Sequence, residues 1–68
     1  MSQWQTVFKT KQAYQAEIVK SVLIDRDIPA VVINKQDSAY HLGYYEVAVA
    51  QEDVLNAMQI IENDINFK

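Results

Sequence analysis

The chain has 68 residues, of which half are hydrophobic and 22% are charged, and this balance is typical of one small globular domain rather than a disordered segment. Six Lys and Arg residues stand against nine Asp and Glu residues, and the net charge of −3 argues against a surface for nucleic-acid phosphates or anionic lipids. Having no Cys and a single His, the chain lacks the means for disulfides, thiolate zinc sites and thiol chemistry, and offers few ligands to any other metal.

A chain of this length buries only about 60% of the surface that it exposes when unfolded, so its stability margin is thin. Small domains commonly gain stability from disulfides, a metal or oligomerisation. Because the composition disfavours the first two, we expect a homo-oligomer, at least a dimer. The opening stretch MSQWQTVFKTK has no long apolar run or cleavage site, and no stretch approaches the roughly 20 apolar residues of a spanning helix. We therefore expect a cytoplasmic protein.

The stretch WQTVFK, Trp4–Lys9, is rich in aromatic and β-branched residues and predicts a first strand. Strict alternation would place Trp4, Thr6 and Phe8 on one face of this strand. Since both faces then carry apolar residues, the alternation leaves open which face of the sheet meets the helices.

A helix is predicted from Gln12 to Arg26, with Thr10 as a candidate N-cap. Its apolar stripe contains Ala16, Val19 and Leu23. The opposite side carries two further apolar residues, which are either scattered surface residues or a second contact face for a partner subunit. These two residues are Tyr14 and Ile18.

Pro29 cannot continue this helix and pushes the residue before it, Ile28, toward an extended conformation. Asp27 therefore stands where a left-handed terminating residue is expected. Glycine adopts that conformation most easily, and aspartate tolerates it at some cost.

A second strand is predicted at Ala30–Asn34 and a third at Tyr44–Ala50, where the side chains alternate between the core and the other face. Glu52 and Asp53 are expected in the first turn of a second helix, since acidic side chains there favour the helix dipole. The apolar stripe of that helix contains Val54, Ala57, Met58 and Ile61, with Ile65 as a candidate fifth member.

The predicted order is β-α-β-β-α, and the tail INFK leaves open a fourth strand in residues 65–68. A right-handed β-α-β unit lets the third strand lie between the first two. We thus predict one α+β, ferredoxin-like domain over residues 1–68, with two helices on one face of an antiparallel sheet. Because apolar residues occupy both faces of the strands, a second subunit is expected to cover the other face.

Three stretches carry a resemblance to a known family: QAEIVKSVLIDRDIPAVVIN, the loop opening NKQDSAY with Gly43, and YEVAVAQEDVLNAMQII. From about Trp4 to Glu62 the chain resembles a small prokaryotic family called "putative signal-transducing protein", a domain of unknown function with a PII-like (GlnB-like) ferredoxin fold. Asp27 departs from the family, which more often has Gly at that position.

The resemblance implies a PII-like domain of regulatory type with no established activity. PII-like proteins proper bind nucleotides at subunit clefts and carry a long protruding loop. In this chain only about ten residues separate the second and third predicted strands, and neither a Gly-rich phosphate cradle nor a Lys/Arg cluster is present. Nucleotide binding is therefore not carried over from the fold analogy.

The stretch NKQDSAYHLGYYEV, residues 34–47, holds the single His, the single Gly and three of the four Tyr. Exposed tyrosines and polar hairpin residues are common in contact surfaces, which makes six residues here candidates for binding a ligand or a partner. The candidates are Asn34, Asp37, Ser38, Tyr40, His41 and Tyr44. The alternative is that the polar residues only stabilise a turn, that Gly43 supplies a positive φ and that the aromatics cap the sheet edge.

Asp37, Ser38 and His41 also suggest a hydrolase, but three neighbours in one loop can rarely orient toward one another as Ser–His–Asp catalysis requires. His41 and Asp37 are too few ligands for a metal site. Aromatics on the first and third strands suggest RNA stacking, but the basic residues that should accompany them are missing, and Glu46 lies there instead.

We therefore predict a non-enzymatic regulatory module without a cofactor, which acts as a homo-oligomer by binding a small ligand or a protein partner, with no nucleic-acid or membrane partner. The alternative is a purely structural module that only assembles with itself. An enzyme remains possible only if two chains build a composite site.

Overall fold

The computed structural model describes residues 3–37 and 42–65, and they form an antiparallel sheet with helices on one face. The elements in chain order are β1 (Trp4–Thr10), α1 (Ala13–Asp25), β2 (Ala30–Asp37), β3 (Leu42–Ala50) and α2 (Val54–Asp64), and a short 3₁₀ turn, Gln51–Asp53, leads into α2. The predicted α+β class is confirmed, and the described elements follow one another as β-α-β-β-α, whereas residues 66–68 of the possible fourth strand lie outside the described residues. Both hairpin strands are longer than predicted, because their pairing continues past the apolar stretch into polar residues.

The sheet has the order β1-β3-β2, and β3 pairs antiparallel with both neighbours, as predicted for an inserted third strand. The register along β1 shifts between Thr6 and Phe8, so Val7 is an extra residue in the ladder. Such a bulge lets two consecutive side chains point to the same side of the sheet. Val7 and Phe8 both pack against the core in this way.

The bulge overturns the prediction that Trp4, Thr6 and Phe8 share one face. Trp4 and Thr6 pair with Ala50 and Ala48, whereas Phe8 pairs with Val47 on the other face. Alternation predicts a face only while the ladder is regular, and an inserted residue reverses every position after it.

The core lies between the helices and one face of the sheet. Its largest fully buried side chains are Leu23 and Val19 of α1 and Val47 and Val49 of β3. The predicted stripe of α1 is confirmed, since Ala16 is fully buried beside them. The structure also answers which face meets the helices: it is the face of Val47 and Val49.

The helix α2 contributes fewer buried residues than predicted. Ala57 is fully buried, and Val54, Ile61 and Ile65 pack against the core at partial burial. Met58 is 50% exposed, so its placement in the core stripe is wrong. Glu52 and Asp53 lie in the 3₁₀ turn rather than in the first turn of α2.

The N-cap residue of α1 is Gln12 rather than the predicted Thr10, and the Gln12 side chain makes no capping hydrogen bond to the first turn. Thr10 acts just outside the helix: its hydroxyl accepts a hydrogen bond from the Gln12 N–H at 3.0 Å and donates to Gln15 Oε1 at 2.6 Å. The hydroxyl thus orients the chain as it turns from β1 into α1.

The end of α1 is a Schellman motif, with Asp27 at the left-handed position that the sequence indicated. The N–H of Ile28 donates to the Leu23 carbonyl at 2.9 Å, and the N–H of Asp27 donates to the Ile24 carbonyl at 3.0 Å. Asp27 has a φ of 65°, and no other non-glycine residue in the described ranges has a positive φ. Leu23 and Ile28 are both buried and complete the motif with an apolar contact.

Candidate functional site

The hairpin of β2 and β3 extends beyond β1. The strand β1 ends at Thr10, which pairs with Tyr45, whereas β2 and β3 continue to pair from Lys35 opposite Tyr44 to Asp37 opposite Leu42. Residues 35–37 and 42–44 therefore form a two-stranded ribbon, which we call the arm. Lys35, Gln36 and Gly43 in this arm are exposed, so it contributes little to the core.

The predicted binding residues belong to this arm and its neighbourhood. Ser38, Tyr40 and His41 lie outside the described residues, as does the side chain of Asp37, whose backbone forms the last pair of the ladder. Asn34 is exposed and pairs with Tyr45, and Tyr44 is half-buried and pairs with Lys35. Asn34 and Tyr44 are thus on opposite faces of the sheet, because their positions on paired strands differ by one residue.

Gly43 does not take the positive φ that a turn would require. It lies in β3 opposite Gln36, and no described glycine has a positive φ. A Cβ placed on Gly43 would be 3.8 Å from Gln36 Cγ and 3.8 Å from the Lys35 carbonyl oxygen, which is ordinary contact. This part of the alternative, turn-stabilising interpretation is wrong, because the strands run further than the apolar pattern suggested and Gly43 is a strand residue within the arm.

The face of the sheet that the helices do not cover we call the open face. Strand register places Trp4, Thr6 and Lys9 of β1 there, beside the even-numbered residues 44–50 of β3 and the odd-numbered residues 31–35 of β2. Trp4 is 54% exposed and Val31 is 38% exposed. Ala48, between them on β3, is almost fully buried by its neighbours.

A carboxylate lies near the middle of this open face. Glu46 is only 8% exposed, and its Oε1 accepts a hydrogen bond from the Thr6 hydroxyl at 2.8 Å. Lys9 occupies the paired position on β1. From the sequence, Glu46 served only as an argument against RNA binding. The sequence pattern that could have indicated its role is an acidic residue at an alternating position of β3, with Thr6 on the strand that pairs with it.

A shallow apolar depression of about 500 Å³ lies at the end of the sheet where β1 and β2 begin. Trp4 and Val31 line it from the strands, and Ile24, Ile28 and Pro29 line it from the end of α1. Sequence reasoning missed this feature because it joins three segments that are distant in the chain.

A second depression, of about 450 Å³, is polar and lies between the end of α1 and α2. An ion pair crosses its edge, from Arg26 Nη2 to Asp64 Oδ2 at 2.6 Å, with both side chains well exposed. Within residues 3–37 and 42–65, no three His, Cys, Asp or Glu side chains are grouped as metal ligands. Among the same residues, no helix has the length and apolar character needed to cross a bilayer.

The fold and the arm define a small α+β module whose exposed features are a hairpin ribbon and an uncovered sheet face. Residues 4–64 match the family described as "putative prokaryotic signal transducing protein", and the chain belongs to that family. The family that the sequence resembled is therefore confirmed. No curated protein and no solved structure matches the chain.

Proposed function

We propose that this protein is a non-enzymatic regulatory module of the cytoplasm that works by binding a small ligand or a protein partner through the arm and its tip. The proposal includes a ferredoxin-like, PII-like plan for the domain and a homo-oligomeric state, most simply a dimer. The description of its family as signal transducing supports a regulatory role.

The observation that carries this proposal is the arm itself. A ribbon that extends past the third strand with exposed side chains does little for the stability of the core. Exposed loops and hairpins held by a rigid scaffold are frequent sites of contact with ligands and partners. Asn34, which is exposed, and Tyr44, which is half-buried, lie at the base of the arm. The residues that we propose make the contact are these two together with Asp37, Ser38, Tyr40 and His41.

A thermal-shift screen with nucleotides and common metabolites tests the small-ligand form of this proposal. A ligand that binds only the folded state at 100 times its Kd adds about 2.7 kcal/mol, which for so short a chain raises Tm by several degrees. Replacing Tyr40 and His41 with Ala should abolish the shift. Leu55→Ala is the matched control, because Leu55 is 77% exposed on α2, away from the arm.

The protein-partner form is tested by comparing what the wild-type chain, the Tyr40→Ala/His41→Ala variant and the Leu55→Ala control retain from a bacterial extract. A partner that is retained by the control but lost by the arm variant supports the proposal. If no metabolite gives a shift and no retained protein depends on the arm, the arm is not a binding element and the proposal is wrong.

A structural module that only self-assembles is the second candidate, and the open face favours it. A half-exposed Trp4 and an exposed Val31 on a sheet face without helices are typical of a surface that another chain covers. This function predicts that the chain oligomerises, that no metabolite raises its Tm, and that changing Tyr40 and His41 leaves the oligomer intact. An enzyme built from two chains would instead show turnover that Ser38→Ala or His41→Ala abolishes while the fold is kept.

A further inference from the structure

The apolar depression lies at the end of the sheet opposite to the arm and has a carboxylate in its lining. Its volume of about 500 Å³ falls within the range of about 300–1,000 Å³ that is usual for small-molecule sites. Among the described residues that line it, Asp27 is the only charged one, and the others are apolar. Apolar walls with a few polar groups are the usual composition of a site for an organic ligand.

The backbone around this depression is fixed by the fold. Ile28 and Ala30 line it and are buried, and the Ile28 N–H donates to the Leu23 carbonyl at 2.9 Å. Ala30 begins β2 and pairs with Val49 of the central strand. Because these segments are already held in place, binding a ligand here requires little further ordering of the protein.

The apolar side chains of the depression are only partly covered by the chain itself. Trp4 and Ile24 are about half exposed, and Val31 is also exposed. The apolar body of a ligand would remove this surface from water, which is favourable. An aromatic body fits best, because the indole of Trp4 offers a flat face on which a ring can stack.

The carboxylate of Asp27 indicates the charge of the ligand. Within residues 3–37 and 42–65 it makes neither a hydrogen bond nor an ion pair, whereas its neighbour Arg26 is paired with Asp64. It can therefore accept hydrogen bonds from a cation without losing a contact of its own. Asp27 is also kept at a φ of 65°, which glycine would adopt at less cost. Residues strained in this way are frequent at binding sites.

Size and charge argue against other occupants of the depression. Seven residues line it, whereas a standard protein interface uses about 20–30 residues on each side. An anion would meet the Asp27 carboxylate and a chain with a net charge of −3. A bare metal ion needs more oxygen ligands than this one carboxylate supplies. A small organic cation with an apolar body satisfies both the charge and the apolar walls.

We propose that this depression binds a small primary amine with an apolar, preferably aromatic, body. The ammonium group donates to the Asp27 carboxylate, and the body covers Trp4 and Ile24. This inference goes beyond the proposed function, because the site is separate from the arm: β1 and β2 begin at the depression, whereas the arm extends past the end of β1. An amine at one end of the sheet and a contact at the arm can thus be made at the same time.

The first test compares three probes that share a phenyl body and differ in the head group: 2-phenylethylamine, 2-phenylethanol and 3-phenylpropanoate. Trp4 is the single tryptophan, so its indole N–H gives one signal in the ¹⁵N-labelled chain and reports on the depression directly. For so small a probe on an open surface, the Kd of the amine is expected to be about millimolar. The alcohol should bind about two- to fivefold more weakly, as for an ion pair that stays partly solvated, and the propanoate more weakly still. Ionic strength is held constant, because salt screens exposed charges.

The second test removes the charge of Asp27. Asp27→Asn keeps the size of the side chain and the left-handed backbone, which asparagine also adopts. It should weaken the binding of the amine by about two- to fivefold and leave the Kd of the alcohol unchanged. Asp25→Asn is the matched control, since Asp25 is exposed two residues earlier and does not line the depression. It should leave the Kd of all three probes unchanged.

An indole signal that shifts with none of the probes overturns the inference, as does an alcohol that binds as tightly as the amine. Equal weakening by Asp27→Asn and Asp25→Asn also overturns it, because the amine would then be attracted to the acidic chain in general. The proposed function is judged separately. Amine binding that is unchanged in the Tyr40→Ala/His41→Ala variant, with no arm-dependent ligand or partner, would support this site and refute the arm.

Discussion

Asp27 shows how a single residue is strained by the fold around it. It ends α1 with a φ of 65°, a conformation that costs most side chains roughly 1–2 kcal/mol. The buried Leu23 and Ile28 on either side hold the backbone in this conformation. The polar atoms of Asp27 face solvent, since the residue is exposed, so burial does not explain why an acid occupies this position.

Asp27→Gly should raise the free energy of unfolding by about 1 kcal/mol, because glycine adopts a positive φ without a steric penalty. For a domain of 60–100 residues this corresponds to an increase in Tm of about 4–8 °C. Urea unfolding monitored by circular dichroism measures the change. Asp25→Gly is the control, and since Asp25 is helical it should lower stability by roughly 0.3 kcal/mol, the difference in helix propensity between Asp and Gly. Equal effects at both positions would contradict the strain at Asp27.

Glu46 is the second residue whose environment makes a prediction. Thr6→Val keeps the shape of the side chain but removes the hydroxyl that donates to the Glu46 carboxylate. Leaving a nearly buried acceptor without this donor should cost about 1 kcal/mol or more, whereas the double variant Thr6→Val/Glu46→Leu should recover most of the loss. A double-mutant cycle in urea at one fixed protein concentration gives the coupling. If the two changes are simply additive, the hydrogen bond does not stabilise the fold.

At the scale of elements, the hairpin of β2 and β3 serves two purposes. The part of the hairpin in which residues 30–34 pair with residues 45–49 forms the centre and one edge of the sheet, and it contributes Val47 and Val49 to the core. The arm lies beyond the end of β1 and has no third strand paired with it, so its backbone pairing joins two strands only. Isolated two-stranded ribbons are marginally stable in water, so the arm is the element whose pairing is most easily changed by one side chain.

Gly43→Val should therefore strengthen the arm. Glycine in a strand costs about 0.5–1 kcal/mol relative to alanine, and the position has room for a Cβ. A β-branched residue also favours the extended backbone. Neighbouring pairs of an antiparallel ladder alternate in hydrogen bonding, so only one of the Gln36 and Tyr44 N–H groups donates across the arm. Amide hydrogen exchange at that one of the two should slow several-fold, while exchange at the buried Val47 and Val49 should be unaffected. Unchanged exchange at both Gln36 and Tyr44 would show that Gly43 does not limit the pairing of the arm.

For the whole molecule, thinness is the dominant physical fact. One sheet face packs on helices, and the other leaves Trp4 and Val31 in contact with solvent. Charge is uneven between the sides, since the segments that contain the helices hold seven of the nine acidic residues. For a small chain without Cys, association is one of the common routes to added stability.

The whole-molecule prediction is that thermal stability depends on protein concentration. For a native dimer that unfolds to two separate chains, each tenfold rise in concentration adds about 1.4 kcal/mol per dimer. Tm should accordingly rise by a few degrees per decade in calorimetry. Trp4→Glu should show a Tm that is independent of concentration. A wild-type Tm that does not change over two decades would contradict association of the folded chains.

The sequence by itself determined the class of the fold, the order of the elements and the stripe of α1, because these follow from local periodicity and from residues such as Pro29. It also indicated the left-handed end of α1 at Asp27 and the family. The arm is predicted only in part, since apolar alternation stops at Asn34 while the pairing continues to Asp37.

Only the tertiary structure decided the rest, and the reason is that these features join segments that are distant in the chain. The bulge at Val7 reversed the faces of β1, because an inserted residue is visible only against its partner strand. Glu46 found its donor on β1, forty residues earlier. The depression beside Trp4 exists because the ends of β1, β2 and α1 meet in space, a relation that no local pattern of side chains encodes.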